Sequence, residues 1–341
     1  MSLSLFISKT KAELTPDEKI ATAIYKNSSP AVVNITTTTL IRDFFSVYPQ
    51  KGSGSGSIIG PQGYILTNYH VIENANEINV TLTNGKKYSA ELIGIAPEND
   101  IAIIKIDAKE ENLVSIELED SSTVEVGQKI FAIGNPFGLN STMTTGIISA
   151  LGRPLATENG KVIENVLQID APINPGNSGG PLIATNGKMI GINTAIFSPS
   201  GGNIGIGFAI PVSNVKELIP ELIRYGKIRR PWFGIEGIQL WNKFSQIFNL
   251  PVSEGVMISS VIKGSPAYKA GVKGGVSPIQ ISGAIVYLGG DILLEIDGKK
   301  ISSMTDINKA LADKKENDTV KLKLLRDRKI IYLNMKVELR A

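Results

Sequence analysis

The chain has no cysteine. That absence excludes disulfides, thiol catalysis and zinc sites built on thiolates. It has one histidine, His70. Any reaction that needs an imidazole must use that residue, and a metal site with two histidine ligands is excluded. No apolar run approaches the roughly 20 residues that span a bilayer, so no membrane span is expected. Leu3–Ile7 is far too short for a signal-peptide core of about 7–15 residues. A charge excess of one sign is missing too: 35 basic and 32 acidic side chains leave a net charge of +3. The basic residues are scattered, apart from Lys227-Ile228-Arg229-Arg230, a block too short for a nucleic-acid footprint. Nucleic acid is therefore not an expected partner, and nothing in the sequence calls for a cofactor.

What is present falls into segments. Its 341 residues suggest two domains with a short appendage. Thr15-Pro16-Asp17-Glu18 has a cap, a proline at the first helical position and a glutamate three residues after the cap. These predict a helix from Pro16 to Lys26 within an N-terminal segment 1–30. Residues 31–226 turn to short runs rich in Val, Ile and Thr, among them Val32–Thr37, Gly63–Thr67, Ile101–Ile106 and Met189–Asn193, punctuated by Gly and Asn. That pattern predicts an all-β barrel or sandwich domain with no fixed-period repeat. Near its end, Val215, Leu218, Ile219, Leu222 and Ile223 recur at helical spacing. One amphipathic helix is expected there, capped by Ser213, kinked at most by Pro220 and stopped by Gly226. A linker, 227–231, leads into residues 232–341. There Gly255–Val261, Ile292–Ile296, Thr319–Arg326 and Lys329–Val337 read as strands, and Ser265-Pro266 and Thr305-Asp306 as helix starts. That makes a small α+β domain.

Three stretches carry chemistry. Gly176-Asn177-Ser178-Gly179-Gly180-Pro181-Leu182 is a glycine-flanked turn of the kind that projects a nucleophilic hydroxyl into a cleft. Its residues Gly176, Asn177 and Ser178 form a candidate oxyanion hole, with the Gly176 and Ser178 N–H groups converging. His70 follows the strand that ends near Leu66 and is the sole imidazole able to serve Ser178 as base. Asp100 heads the apolar run Ile101–Ile106 and would accept from His70 Nδ1–H; Asp107 and Asp170 are rivals for that place. The chain order His, Asp, Ser is that of the chymotrypsin architecture rather than of subtilisin or the α/β-hydrolases. Substrate is expected to pair with Asn193, Thr194, Ala195 and Ile196. No charged residue lies in 171–177 or 192–197, which predicts small or medium aliphatic side chains at P1. The Gly/Ser loop Ser198–Asn203 reads as a mobile loop that sets activity.

Seven stretches together resemble the HtrA/Deg family of serine proteases: Gly52–Ile59, Tyr64–Val71, Asn99–Ala102, Gly134–Gly138, Gly176–Leu182, Gly191–Ile196 and Gly201–Ala209. The similarity runs from about Thr15 through nearly the whole chain. It implies a mainly β protein, a chymotrypsin-like double β-barrel followed by a PDZ domain. It further implies an ATP-independent endopeptidase of protein quality control, with His70, Asp100 and Ser178 matching the triad position by position. Such enzymes act on unfolded proteins or peptides, usually as homotrimers or higher oligomers joined through N-terminal segments, outside the cytoplasm, membrane-anchored or in organelles. In the PDZ-like part, Trp232-Phe233-Gly234-Ile235 resembles the loop that grips a peptide C-terminus, with the helix at Thr305–Asp313 closing the groove. The stretch from Gly274 to Gly290 is longer than such domains need and reads as an insertion. A non-catalytic PDZ chaperone or scaffold with a resting protease fold is the alternative.

Overall fold

The computed structural model describes residues 13–43, 46–138, 140–156, 162–196, 205–281 and 284–341. The loop expected at Ser198–Asn203 lies outside them. Contacts divide the chain into two compact units, 1–228 and 229–341.

The first unit opens with α1 (Pro16–Ser28), two residues longer than expected. Its capping box is complete: Thr15 N–H donates to Glu18 Oε2 (2.7 Å) and Thr15 Oγ1 accepts the Glu18 N–H (3.3 Å). Twelve strands follow among the described residues. They are β1 (Val32–Arg42), β2 (Val47–Ile58), β3 (Tyr64–Thr67), β4 (Glu77–Thr81), β5 (Lys87–Ala96), β6 (Ile101–Ile106), β7 (Lys129–Gly134), β8 (Thr142–Ala156), β9 (Val162–Ile169), β10 (Pro181–Ala184), β11 (Met189–Ile196) and β12 (Gly207–Pro211), with the short helix α2 (Tyr69–Ile72) after β3. They close two antiparallel barrels, β1-β2-β3-β6-β5-β4 and β10-β11-β12-β9-β8-β7. The second order repeats the first, with six strands of one barrel standing for six of the other. The sequence shows no such repeat, because a duplicated topology needs only matching polarity patterns, not matching residues.

Period-2 burial explains the apolar strands next to the seam between the barrels. In β6, Ala102, Ile104 and Ile106 pack with Val33, Ile35, Ile58, Ile65 and Val80 inside the first barrel, whereas Ile101 and Ile103 join a separate core. That core also takes Phe131 and Ile133 of β7, whose neighbours Ile130 and Ala132 fill the second barrel. Strands buried on both faces read as continuous hydrophobic runs. The site described below lies where these two barrels meet.

The helix expected from Ser213 is broken. α3 (Ser213–Lys216) and α4 (Leu218–Tyr225) are separated at Glu217, and Val212 stands at the cap position. Pro220 is the cause: it offers no N–H to the Lys216 carbonyl, and its ring crowds that turn. Gly226 ends α4 at φ +71° as expected.

In the second unit, Arg230 and Pro231, expected in the linker, instead form β13 (Arg230–Trp232) with a C-terminal partner strand, pairing Arg340 and Leu339. The remaining elements are β14 (Ile235–Gln239), α5 (Asn242–Ile247), β15 (Val256–Val261), α6 (Pro266–Lys269), β16 (Ser277–Ile281), β17 (Ala284–Leu288), β18 (Ile292–Ile296), β19 (Lys299–Lys300), α7 (Met304–Leu311), β20 (Thr319–Arg326), β21 (Lys329–Lys336) and β22 (Glu338–Arg340). The main sheet runs β14-β15-β18-β20-β21, with β19 on β18. The insertion is a two-stranded hairpin, β16 with β17. Its base is held by Asp291, 1% exposed. Asp291 takes a bidentate pair from Arg326 (both 2.7 Å) and the Lys273 N–H (2.8 Å). α7 starts one residue before the expected helix, on a Ser303–Asp306 capping box. Hydroxyl and N–H donors from Ser302 and Ser303 hold the Asp306 carboxyl down at about 2.

Breaking a buried ion pair from one side is costly. Asp291→Ala is therefore expected to destabilise the second unit by about 3–5 kcal/mol in urea unfolding. Asp107→Ala, which frees only exposed Lys109, is expected to cost under about 1 kcal/mol.

Candidate active site

The first barrel supplies an imidazole and a carboxylate. β3 runs through Asn68 into α2, which sets His70 on the first helical turn just beyond the strand end. Asp100 occupies the tight turn between β5 and β6 at φ +53°, a left-handed conformation that Asp tolerates better than most residues. Hydrogen bonds hold it there. Its carbonyl accepts from the Tyr69 N–H (3.1 Å) and from Asn68 Nδ2 (3.1 Å). Its carboxylate accepts the His70 N–H at Oδ1 (2.9 Å) and meets His70 Nδ1 at Oδ2 (2.8 Å). The ring is thus gripped at its backbone and at its inner nitrogen by one side chain. Because an ionised carboxylate only accepts, Nδ1 carries the proton and Nε2 keeps a free lone pair. The carboxylate side is buried (8% exposed) and the imidazole side is open (45%), so the lone pair can face a substrate. The neighbouring Tyr69 phenol is pushed up by burial, then by the Glu73 carboxylate, and stays neutral.

The rival carboxylates are occupied elsewhere. Asp107 is exposed and pairs with Lys109. Asp170 accepts the Ile147 N–H (2.6 Å).

The second barrel supplies the hydroxyl. Ser178 lies in the turn between β9 and β10. Gly176, at φ +93°, stands at the third position of a four-residue turn closed by the Asn177 N–H on the Asn174 carbonyl (3.0 Å). That bond takes the Asn177 N–H away from the expected oxyanion hole. Among the described residues the Gly176 and Ser178 N–H groups donate to no protein group, which leaves two donors two residues apart. Gly179, at φ +85°, must be glycine for a second reason: a Cβ there would lie 2.1 Å from the Ser55 carbonyl oxygen. The Ser178 Oγ donates to the Thr194 carbonyl (2.6 Å) and makes no hydrogen bond to His70.

β11 carries the expected substrate strand. Asn193 is tied to the serine turn in both directions, its N–H on the Gly180 carbonyl (2.9 Å) and its carbonyl on the Gly179 N–H (2.8 Å). The Thr194 hydroxyl has a use the sequence reading missed: it donates to Asp100 Oδ2 (3.0 Å), a bond between the two barrels. Ala195 and Ile196 continue β11, and Ile196 pairs with Gly207. Sequence order gives no hint that residue 194 meets residue 100. A hydroxyl beside the strand motif was the only available signal.

In the second unit, Trp232 ends β13 under the Arg340 guanidinium, 4.7 Å from the ring centroid. Phe233 and Ile235 are buried, and Gly234 takes φ +82°. The Phe233 carbonyl accepts the Ala267 N–H (3.1 Å), and the Gly234 carbonyl accepts the Ile262 N–H (2.9 Å). The Phe233 and Gly234 N–H groups donate to nothing among the described residues. β14, which follows, is an edge strand. A Cβ on its Gly237 would lie 3.6 Å from Met304 Sδ at the start of α7. An edge strand, a helix beside it and free N–H groups at its head are the elements that strand-addition recognition of a peptide uses.

Comparison with known proteins agrees with both halves. Residues 54–192 match the trypsin-like peptidase domain and residues 231–337 the PDZ domain. The chain is 40% identical to "Protease Do-like 1, chloroplastic" of Arabidopsis thaliana, over 95% of this chain and 73% of that one. It is 42% identical to the periplasmic serine endoprotease DegP of Escherichia coli, over 84% of this chain and 56% of that one; it thus spans little more than half of that relative. Among solved structures, the HtrA-type protease AlgW with a decapeptide superposes with a TM-score of 0.63 at 34% identity, covering 93% of this chain and 98% of that one. The serine endoprotease from Yersinia pestis gives 0.61 at 32%, covering 96% and 100%.

A single imidazole gives a single set of ring signals. In ¹⁵N NMR, His70 is expected as the Nδ1–H tautomer when neutral, and Asp100→Asn is expected to invert it to Nε2–H. Equal tautomers in the two proteins would refute the assignment.

Proposed function

This chain belongs to the HtrA/Deg family of serine proteases, and from that premise we propose that it is an ATP-independent endopeptidase acting on unfolded or misfolded polypeptides. One observation carries the reading: Asp100 holds the only imidazole at its backbone and at Nδ1, at the seam where the Ser178 turn offers two free N–H groups. In the proposed reaction Ser178 leaves the Thr194 carbonyl and attacks the scissile carbonyl while His70 Nε2 takes its proton. The oxyanion then sits between the Gly176 and Ser178 N–H groups. The imidazolium formed is stabilised by Asp100 and gives its proton to the leaving amine, and the neutral ring that results takes a proton from the water that attacks the acyl-enzyme. The Thr194 carbonyl, released by the serine, is free to accept a substrate N–H.

The P1 side chain is proposed to enter beside Ala171 and Ile173, both buried, where a Cβ on Gly207 would already stand 3.0 Å from Ile173 Cγ1. Such a wall suits valine, alanine or isoleucine and rejects charge. The Phe233-Gly234-Ile235 loop is proposed to receive peptide C-termini or exposed segments. Assembly into a homotrimer through the N-terminal segment is proposed as well, supported by the exposed apolar Leu14 and Ile20.

The alternative, a silent protease fold used as a scaffold, has one observation in its favour: the Ser178 hydroxyl rests on Thr194 rather than on His70. A serine side chain has three staggered positions with low barriers between them, so this resting bond does not silence the site. The relatives weigh the same way, one named a protease and the other a serine endoprotease.

Incubation with casein and with a fluorophosphonate probe tests the proposal. The wild type is expected to cleave and label, with cuts mapping after small aliphatic residues. Ser178→Ala is expected to do neither, and Asp100→Asn to lose about 10⁴-fold in kcat. Binding of casein without cleavage by the wild type at every temperature tried would instead establish the scaffold.

A further inference from the structure

Glycine 176 has no Cβ to hold its conformation, and glycine visits left- and right-handed backbone about equally. Something else must fix the turn that carries both oxyanion donors. Two hydrogen bonds do so around Gly176. One is the turn closure by Asn177. The other comes from the opposite barrel: Ser55 Oγ donates to the Gly176 carbonyl at 2.6 Å.

Ser55 lies in β2 within the run Gly52-Ser53-Gly54-Ser55-Gly56-Ser57, and it is 0% exposed. Each of its polar groups is engaged at the serine turn or beside it. Its N–H donates to the Ser178 carbonyl (2.8 Å). Its carbonyl accepts Thr67 Oγ1 (2.7 Å) and abuts Gly179. Its Oγ accepts the Asn135 N–H (2.8 Å), which leaves the hydroxyl proton free to point at Gly176. The two residues whose carbonyls Ser55 holds, 176 and 178, are the two whose N–H groups face the substrate oxyanion. One residue of the first barrel therefore grips the turn of the second at the same two residues that carry the free N–H groups.

We infer that Ser55 is a positioning residue for the oxyanion turn, and that its hydroxyl keeps the Gly176 N–H aimed at the tetrahedral intermediate. This rests on the protease reading above. Ser55 is fully buried, and among the described residues it makes no hydrogen bond to His70 or Asp100. Its loss should therefore weaken transition-state binding while leaving ground-state binding intact. Losing an oxyanion donor outright costs about 10²–10³ in kcat, and a misaimed group costs up to about 10². Ser55→Ala keeps the backbone bonds to Ser178 and Thr67 and removes only the hydroxyl.

The test uses the full chain with a peptide substrate, a peptide boronic acid that forms a tetrahedral adduct on Ser178, and the matching cleavage-product peptide. Ser55→Ala is expected to lower kcat about 10–100-fold with KM within about twofold. It should weaken boronate binding by the same factor and leave product binding unchanged. Ser55→Cys, close in shape and a weaker donor, should fall between it and the wild type; it carries the same test if the alanine variant does not fold. Wild-type kcat and boronate affinity in the folded Ser55→Ala variant would overturn the inference, as would equal losses for boronate and product, which indicate general loosening. A wild type that neither cleaves nor binds boronate would overturn the protease reading itself.

Discussion

Hydrogen bonds that cross from one β-barrel to the other hold the site together. Thr194 reaches from β11 to Asp100, and Ser55 reaches from β2 to both ends of the Ser178 turn. Neither barrel has a site by itself. The first owns the imidazole and its carboxylate, and the second owns the serine hydroxyl and the two free N–H groups of its turn. The apolar seam of Ile101, Ile103, Phe131 and Ile133 supplies most of the adhesion, because it buries large side chains completely. It is non-directional, however, and would tolerate a small slide of one barrel on the other. The crossing hydrogen bonds would not. They convert a greasy contact into a register, which a reaction that depends on atoms placed to within a fraction of an ångström requires.

The same logic explains why strain and missing side chains gather at this point. Asp100 sits at positive φ, and its carbonyl, carboxylate and neighbours use five hydrogen bonds to keep it there. The serine turn is free of Cβ atoms where the first barrel comes closest, at Gly179 against Ser55. A local cost in backbone freedom is met by contacts from the far side of the seam, so conformation here is a property of the pair of barrels.

Much of this could be read from the residues. The cap at Thr15, the serine turn, the lone imidazole and the carboxylate at the head of an apolar run are local patterns with local causes, and the structure brings the last three to one place. The misses share a different cause. Gly52–Ser57 of β2 alternates glycine and serine, residues that carry no strand signal of their own, and pairing with β1 and β3 makes the stretch a strand. The break at Glu217 follows from Pro220, whose penalty is larger than a kink in so short a helix. The roles of Thr194 and Ser55 depend on partners 94 and 121 residues away, and no window along the chain contains them. The duplicated strand order is invisible for the same reason: topology is a relation among elements, and identity of residues is not required.

A crystal structure of the full chain with a peptide boronic acid tests the central claim most directly. The account predicts boron bonded to Ser178 Oγ, which has left the Thr194 carbonyl. One boronate oxygen should lie between the Gly176 and Ser178 N–H groups, and His70 Nε2 should face the adduct with Asp100 still on Nδ1. An adduct whose oxygen points to solvent, or an imidazole turned away from the boron while the protein remains folded, would contradict it.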